Sequence, residues 1–271
     1  MARTDVAASP SLANALESLR ARGLGLRRGS EPEPLETSRP AIPSGHTALD
    51  AALAGGRGDT GGWPRGALAL LDAPVGGGAT TLALSAVAAT QAAGGLAAWL
   101  DLDGTFDPAV AACGEVCLDW LLVARPHDPA EAIELAAWLG RSGLIDALVL
   151  DLGERGVPDR RVLDRLGSLL ARSATTSALV VAPAGRAVAG TVAGVRVALH
   201  RSAWLAVGRD LVGQRVRATV ERHRWALAGG SAELDLWFAE GRRIDSLLRA
   251  AAEPRQIESA EERPALQVVG A

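Results

Sequence analysis

The chain has no lysine and no tyrosine, and only one methionine, two cysteines and two phenylalanines occur among its 271 residues. All 28 basic residues are therefore arginine. Together with the heavy use of alanine and glycine, this indicates a GC-rich coding bias, so the arginine count alone says little about function. Two cysteines are too few for a disulfide-stapled extracellular scaffold. The net charge of −3 gives no global sign of nucleic-acid binding.

Long apolar runs are also missing. No uninterrupted stretch approaches the roughly 18 residues that span a bilayer, and the opening MARTDVAASPSLANALESL lacks the apolar segment of a secretory signal. We therefore expect a cytoplasmic protein without membrane contact. Cys113 and Cys117 have no second cysteine or histidine pair to complete a zinc site, so we predict that they pack in the core.

Three regions follow one another along the chain. Residues 12–22, LANALESLRAR, carry leucine and alanine at helical spacing, and a linker rich in proline and glutamate follows. We predict an N-terminal docking arm over 1–43, a compact core over 44–248 and a flexible tail over 249–271. The arm would bind a second copy or a partner. The alternatives are an intramolecular helix and a helix that is disordered when alone.

Strand and helix patterns alternate through the first part of the core. Apolar segments such as GALALLD, IDALVLDLG and SALVVAPAG alternate with helical segments, which predicts an α/β fold with a mainly parallel sheet flanked by helices. Asp128, Pro129 and Glu131 indicate a capping box at the start of one helix. We place a further helix near GVRVALHRSA. The segments SAWLAVGRD, QRVRATVERH and AELDLWFAEGRRID then predict an antiparallel meander on the C-terminal side.

The first core strand runs into a glycine-rich loop, APVGGGATT, which departs from the phosphate-binding pattern G-x-x-x-x-G-K-[ST]. Ala73 replaces the first glycine and Ala79 replaces the lysine, whereas Gly78 and Thr80 are retained. Losing such a charged contact weakens binding by roughly 1.5–3 kcal/mol. We expect no required cofactor and only weak binding of ATP with Mg²⁺; a plain strand–helix turn is the alternative. The candidate binding residues are Gly76, Gly77, Gly78, Ala79, Thr80 and Thr81.

Acidic residues stand where two other strands end. Asp151 follows the apolar segment IDALVL, at the position of an acid that lies near a nucleotide-bound metal, unless it merely ends the strand. Asp101 and Asp103 stand at the carboxyl end of a further strand, the edge at which α/β sheets keep their chemistry. The alternative for this pair is a cap for the helix that starts near Asp107.

These segments together resemble the RecA recombinase core over about residues 44 to 245. The resemblance places Asp103 where that family has its catalytic glutamate, and it places Pro183 and Ala184 where the family has a polar sensor of the γ-phosphate. The segment before GVRVALHRSA is shorter than the family's second DNA-binding loop. Because the lysine, the glutamate, the sensor and this loop are all altered, we predict that Asp103 and Asp151 are vestigial catalytic groups, that Thr80 and Asp151 are vestigial metal ligands, and that no metal is held.

The block GGWPRGAL followed by a loop without lysine is similar to ImuA, a RecA-like family of bacterial SOS mutagenesis. That resemblance implies a non-catalytic adaptor, not an enzyme, which supports error-prone translesion DNA synthesis in the DNA damage response. Its partners would be RecA and an ImuB-like polymerase homologue, with self-association through residues 1–40, and it would join the nucleoid when engaged. The alternatives are a working RecA- or KaiC-type ATPase, in which arginines and backbone amides compensate for Ala79, and an ATP-binding regulator without turnover.

One segment of the chain is strongly basic, and it offers a candidate patch for DNA phosphates or an acidic partner. The favoured interpretation is the solvated face of the meander, since charged residues alternate with Val216, Ala218 and Val220. Among seven scattered tryptophans, Trp63 and Trp237 are the better interface candidates, although core burial is favoured for each. The patch consists of Arg186, Arg196, Arg201, Arg209, Arg215, Arg217, Arg222 and Arg224.

Overall fold

The computed structural model describes residues 41–56, 61–153, 160–173, 175–183, 193–207 and 209–238. Contacts divide the chain into two units, Met1–Thr37 and Ser38–Ala271, and every described residue lies in the second. The predicted N-terminal helix, most of the linker and the tail lie outside the described residues. None of the helices in the described part is long and apolar enough to cross a membrane.

The described residues form ten strands and five α-helices. The strands are β1 (Ala41–Ile42), β2 (Trp63–Pro64), β3 (Ala67–Ala73), β4 (Ala97–Asp101), β5 (Leu121–Ala124), β6 (Ala147–Asp151), β7 (Ser177–Pro183), β8 (Val195–Val207), β9 (Asp210–His223) and β10 (Ser231–Trp237). The helices are α1 (Thr47–Ala54), α2 (Ala79–Ala92), α3 (Pro108–Cys113), α4 (Pro129–Ser142) and α5 (Arg160–Ser173). A short 3₁₀ helix, Leu118–Trp120, precedes β5.

Eight strands form the central sheet in the order β10-β9-β8-β3-β7-β6-β4-β5. The neighbours from β8 through β3 to β5 run parallel, whereas β8, β9 and β10 form an antiparallel meander. The short strands β1 and β2 pair with each other. The predicted fold class, a mainly parallel sheet with helices on both sides and a C-terminal meander, is confirmed.

Alternating side chains divide the core into two layers because successive residues of a strand point to opposite faces. Leu71 of β3 packs into the cluster that contains residues of α1 and α2, together with the fully buried Trp63 and Trp99. Leu70, its neighbour in sequence, packs into the cluster that contains residues of α4 and α5. Both faces of the parallel strands are therefore buried, as their continuous apolar sequences predict.

The predicted cap at the start of α4 is present. The Asp128 carboxylate accepts a hydrogen bond from the Glu131 N–H at 2.9 Å, and Pro129 occupies the first turn, where no N–H is needed. The Glu131 carboxylate accepts from the N–H of His127 at 2.6 Å, one residue before the usual partner in a capping box. These short-range contacts fix where α4 begins.

The prediction of a helix near GVRVALHRSA is wrong, because this segment forms the first half of strand β8. Val195, Val197 and Leu199 are fully buried while Arg196 between them is half-buried, so the apolar residues recur every second position. That period fits a strand, and the β-branched valines favour it further. The meander is therefore longer than predicted and begins at Val195.

The predicted burial of the two cysteines is also wrong. Both thiols are free and exposed: Cys113 ends the short helix α3, and Cys117 precedes the 3₁₀ helix. Among the six residues of α3 only Ala111 is buried. Within the described part of the chain, no group of three or more acidic, histidine or cysteine side chains is arranged to hold a metal ion.

Core burial, the favoured interpretation of both Trp63 and Trp237, is confirmed for Trp63 and holds only in part for Trp237. Trp63 is fully buried and Trp237 is half-buried. The exposed ones are Trp120, Trp138 and Trp204, at 58%, 59% and 49% of their surface. The Ser177 hydroxyl lies within hydrogen-bond distance of the carbonyl oxygens of Trp63 and Pro64, at 3.0 and 2.9 Å, which ties the GGWPRGAL turn to β7.

Candidate functional site

The glycine-rich loop lies between the carboxyl end of β3 and the start of α2. Gly76 and Gly78 have φ angles of 71° and 92°, a left-handed conformation that glycine adopts without strain. A Cβ atom at Gly76 would meet nothing within 4 Å, so this side of the loop is open. The first N–H groups of a helix have no partner within the helix, and no side chain caps those of α2 at Gly78. The loop and α2 thus form a site suited to an anion.

A cavity of about 640 Å³ opens beside the loop. It brings together all six candidate binding residues and the two candidate acids, which come from three separate segments of the chain. Three further residues contribute side chains that sequence reasoning did not single out, namely Thr105, Gln214 and Phe238. The lining is completed by Ala73, Pro74, Val75, Gly153, Val181 and Ala182.

Asp151 ends β6 inside this cavity and is only 6% exposed. The pKa of its carboxyl is raised from 3.8 to about 6, chiefly by burial and in smaller part by the nearby Asp101 and Asp103 carboxylates. A hydrogen bond from the Gly153 N–H partly offsets these effects on the pKa. A cation bound nearby would favour the charged carboxylate, because opposite charge acts against the cost of burial.

The two acids at the carboxyl end of β4 have different roles. Asp101 is fully buried, and its carboxylate accepts from the N–H groups of Thr105 and Phe106 at 2.9 and 3.1 Å and from the Arg125 guanidinium at 3.3 Å. It therefore holds the turn that follows the strand. Asp103 instead lines the cavity and packs directly against Gly153. Neither caps α3, since the cap is the Asp107 carboxylate, which accepts from the Ala109 N–H at 2.8 Å.

Gln214 is the residue of this cavity that the sequence pattern could have revealed. It lies on β9, where the buried Val212, Val216 and Ala218 mark the inward positions, and Gln214 occupies the inward position between the two valines. It is 2% exposed, and its Oε1 has no hydrogen-bond partner among the described residues. A polar residue at an inward position of an alternating strand is the signal that was overlooked.

Much of the basic patch is paired within the meander. Arg215 and Arg217 lie opposite Asp235 and Glu233 of β10, and their guanidinium groups contact these carboxylates at 2.7 and 2.8 Å. Arg196 contacts Asp72 and, at 3.1 Å, Glu221. The guanidinium of Arg201 stacks over Trp204, 4.0 Å from the ring centre, and Arg186 lies outside the described residues. Pairing of this kind is typical of a solvated sheet face, and DNA contact stays a prediction.

Comparison with known proteins identifies a family and several relatives that this chain resembles. The model of the RecA N-terminal domain family matches residues 27–172. "Protein RecA" of Oceanobacillus iheyensis is 31% identical over 234 residues, covering 74% of this chain and 66% of that protein. "Protein RecA" of Thermus thermophilus is 30% identical over 269 residues, covering 85% of this chain and 76% of that protein.

A solved structure supports the same fold. "Crystal structure of the RadB recombinase" superposes with a TM-score of 0.55 at 18% identity, covering 72% of this chain and 95% of that chain. The parallel sheet, the glycine-rich loop at the carboxyl end of β3 and the added meander define a RecA-like α/β protein. With the match to the family model and relatives at about 30% identity, the chain belongs to the RecA family.

The expectation that the chain is not an enzyme is wrong. Its relatives at about 30% identity are named RecA, which points to ATPase activity. The main reason for expecting no activity is the alanine at position 79, where the phosphate-binding pattern has lysine. The tertiary structure nevertheless assembles the loop, Thr80 and both cavity acids around one space large enough for a nucleotide.

Proposed function

We propose that this protein binds ATP in the cavity beside the glycine-rich loop and hydrolyses it slowly, in a role in DNA repair or recombination. The observation that carries the proposal is the convergence of the loop, Thr80, Asp103 and Asp151 on one cavity. Membership of the RecA family supports the same activity.

Phosphate binding would rest on the backbone. The first N–H groups of α2, a helix of 14 residues, have no partner within the helix and no side-chain cap, and the helix dipole favours negative charge at this end. Among the described residues that line the cavity none is an arginine, so no arginine seen there replaces the lysine. We therefore expect ATP affinity to be about 10–100-fold below that of a loop with lysine.

The cavity also fits a magnesium ion that accompanies ATP. Thr80 and Asp151 offer a hydroxyl and a carboxylate, the oxygen ligands that Mg²⁺ prefers, and Mg²⁺ commonly takes one or two protein ligands beside substrate phosphates and water. The raised pKa of Asp151 fits this role, because a cation would relieve the repulsion from Asp101 and Asp103. When bound, the ion would neutralise charge that develops on the phosphates.

Hydrolysis needs a base for the attacking water, and Asp103 is the side chain we assign to it. A water oxygen forms a bond to the γ-phosphorus, the bond from that phosphorus to the bridging oxygen breaks, and the water proton passes to the Asp103 carboxylate and then to solvent. ADP and phosphate leave. Asp103 contacts Gly153 and so stands beside the end of β6, near Asp151.

Turnover with a matched variant tests this proposal. Phosphate release in Mg²⁺ and ATP should exceed that of the full-length Asp103→Asn variant by about 100-fold, because general-base catalysis contributes about 10²–10⁴-fold. Calorimetry should show ATP binding to both proteins, since the variant keeps the loop. Single-stranded DNA, added to each, should raise the rate of the wild-type protein. Absent ATP binding at millimolar concentration, or equal rates for both proteins, would contradict the proposal.

A second candidate concerns the partner: we propose that the protein supports translesion synthesis through contact with another RecA-fold chain, RecA itself or a second copy. What favours it is an apolar surface at the β5 end of the sheet, where β5 is the last strand. Trp120, Leu122 and Val123 are 58%, 48% and 37% exposed there, and surfaces of this kind often mark protein contacts. Residues 1–40, predicted as a docking arm, and an ImuB-like partner remain part of this proposal.

Substitution of two exposed tryptophans, one beside β5 and one on β8, tests the contact. Trp120→Asp should weaken association with RecA, or with itself, by at least tenfold in analytical ultracentrifugation, because it puts a charge into the apolar surface. Trp204→Asp is the matched control, since Trp204 is similarly exposed but lies on β8. Equal loss in both variants, or in neither, would refute the contact at β5.

A further inference from the structure

Gln214 is a buried amide whose polar atoms the described protein does not fully satisfy. The residue is 2% exposed and its Oε1 is buried without a hydrogen-bond partner among the described residues. Buried polar groups are nearly always paired in native proteins, and an unpaired one is a cost to the folded state. A residue kept only for packing at an inward strand position would more simply be apolar, as Val212 and Val216 are.

The amide lies beside the loop that would hold phosphate. A Cβ atom built on Gly78 would come within 3.0 Å of the Gln214 Nε2, so the amide nitrogen stands directly against the residue that precedes Ala79. Gln214 also lines the same cavity as Thr80 and Asp151. Its position is set by the sheet, because Gln214 pairs with Leu236 on one side and Trp204 on the other.

The surrounding charges decide what the amide can bind. The cavity holds two carboxylates, Asp103 and Asp151, and no positive side chain among its described lining residues. A neutral amide N–H beside the start of α2 can donate to a phosphate oxygen, and it does so without adding another charged side chain that would have to be buried. Adenine would be a poor match at this point, because the neighbouring loop offers N–H donors that favour an anion.

We propose that Gln214 donates a hydrogen bond from its side-chain amide to a β- or γ-phosphate oxygen of bound ATP, and so supplies the polar contact that Ala79 lacks. The inference rests on the proposed function, since it assigns a binding residue to the same cavity. This contact differs from the one that a lysine of a phosphate-binding loop makes. The Gln214 amide is neutral, belongs to the meander and would couple the bound nucleotide to β9.

Selective loss of polyphosphate binding tests the inference. The full-length variants are Gln214→Leu, which removes the amide at similar size, and Gln214→Glu, which adds a negative charge. Thr219→Val, on the same strand but away from the cavity lining, is the matched control. Dissociation constants for Mg-ATP and AMP would be measured by displacement of a fluorescent ATP analogue, and thermal midpoints by calorimetry.

Gln214→Leu should weaken ATP binding by about tenfold and AMP binding by less than twofold, because AMP lacks the terminal phosphates. Gln214→Glu should weaken ATP binding more. The thermal midpoint of Gln214→Leu should stay level or rise, since it removes an unpaired oxygen from the interior.

The remaining outcomes separate this inference from the proposed function. Two outcomes would overturn the role of Gln214 alone. In the first, Gln214→Leu binds ATP as tightly as the wild-type protein does; in the second, Gln214→Leu loses affinity for ATP and for AMP by the same factor. A fall in the thermal midpoint of Gln214→Leu, or its failure to fold, would show a structural role and overturn it as well. Absence of ATP binding by the wild-type protein would overturn the proposed function, and the role of Gln214 with it.

Discussion

Replacing Ala79 with lysine should tighten Mg-ATP binding by about 10–100-fold, because it adds a charge-assisted contact to the phosphates. Ala79 is the first residue of α2, lines the cavity and is 8% exposed. The same cavity contains Asp103 and Asp151, whose carboxylates would stabilise the new ammonium group. Isothermal titration with ATP measures the change, and kcat/KM for phosphate release should rise with it.

The control for this substitution is Ala79→Met, which has similar length and no charge. It tests whether a longer side chain alone changes the cavity. A gain in ATP affinity for lysine but not for methionine would show that the wild-type loop is active but incomplete. If neither variant binds ATP more tightly, the cavity does not hold the phosphates beside α2, and the proposed binding mode is wrong.

Replacing Asp151 with asparagine should have opposite effects on stability and on activity. The raised pKa of about 6 means that the folded state disfavours the charged carboxylate. Its contribution to the free energy of unfolding is present below the unfolded value of 3.8 and is lost as the pH rises through about 6. At pH 7.5 the variant should therefore be more stable by up to about 3 kcal/mol, and at pH 3.5 it should not.

Chemical denaturation of both proteins over this pH range measures the stability difference. In the same variant, Mg²⁺-dependent ATP hydrolysis should fall by about 100-fold, because a neutral amide replaces the charged metal ligand. Asp119→Asn, an exposed acid of the 3₁₀ helix, is the control and should change neither property. A variant that loses stability at pH 7.5, or keeps its Mg²⁺ dependence, would contradict the role of Asp151.

Two groups in the cavity thus weaken the folded state: the buried carboxyl of Asp151 and the unpaired oxygen of Gln214. Both lie in the cavity beside the loop that ends at α2. Natural proteins tolerate such costs at binding sites, and a cation that pairs with the Asp151 carboxylate would recover its share, whereas the cost of the Gln214 oxygen remains and only the amide N–H gains a partner in bound phosphate. The two groups that destabilise the folded state thus lie in the same cavity, which favours a binding cavity over a plain strand–helix turn.

The amino-acid sequence was sufficient to predict the alternation of strands and helices, the capped start of α4 and the glycine loop before α2. These features follow from contacts between residues close in the chain: apolar periodicity, Asp128 bonded to the Glu131 N–H, and glycines at positive φ. Prediction of secondary structure fails where the apolar periodicity extends over only a few residues. The segment from Val195 is predicted as a helix, but it pairs with β3 and β9 as a strand, and Val195, Val197 and Leu199 pack into one core cluster.

Tertiary structure alone decided which residues share the site. Asp101 and Asp103 have the same type and nearly the same position in the sequence, yet the first is fully buried in a turn and the second faces the cavity. Gln214 reaches Gly78 only because β9 folds back beside β8 and brings a distant strand to the loop. Sequence patterns report neighbours along the chain, whereas a binding cavity depends on neighbours across the sheet, and these are fixed only when the strands pair.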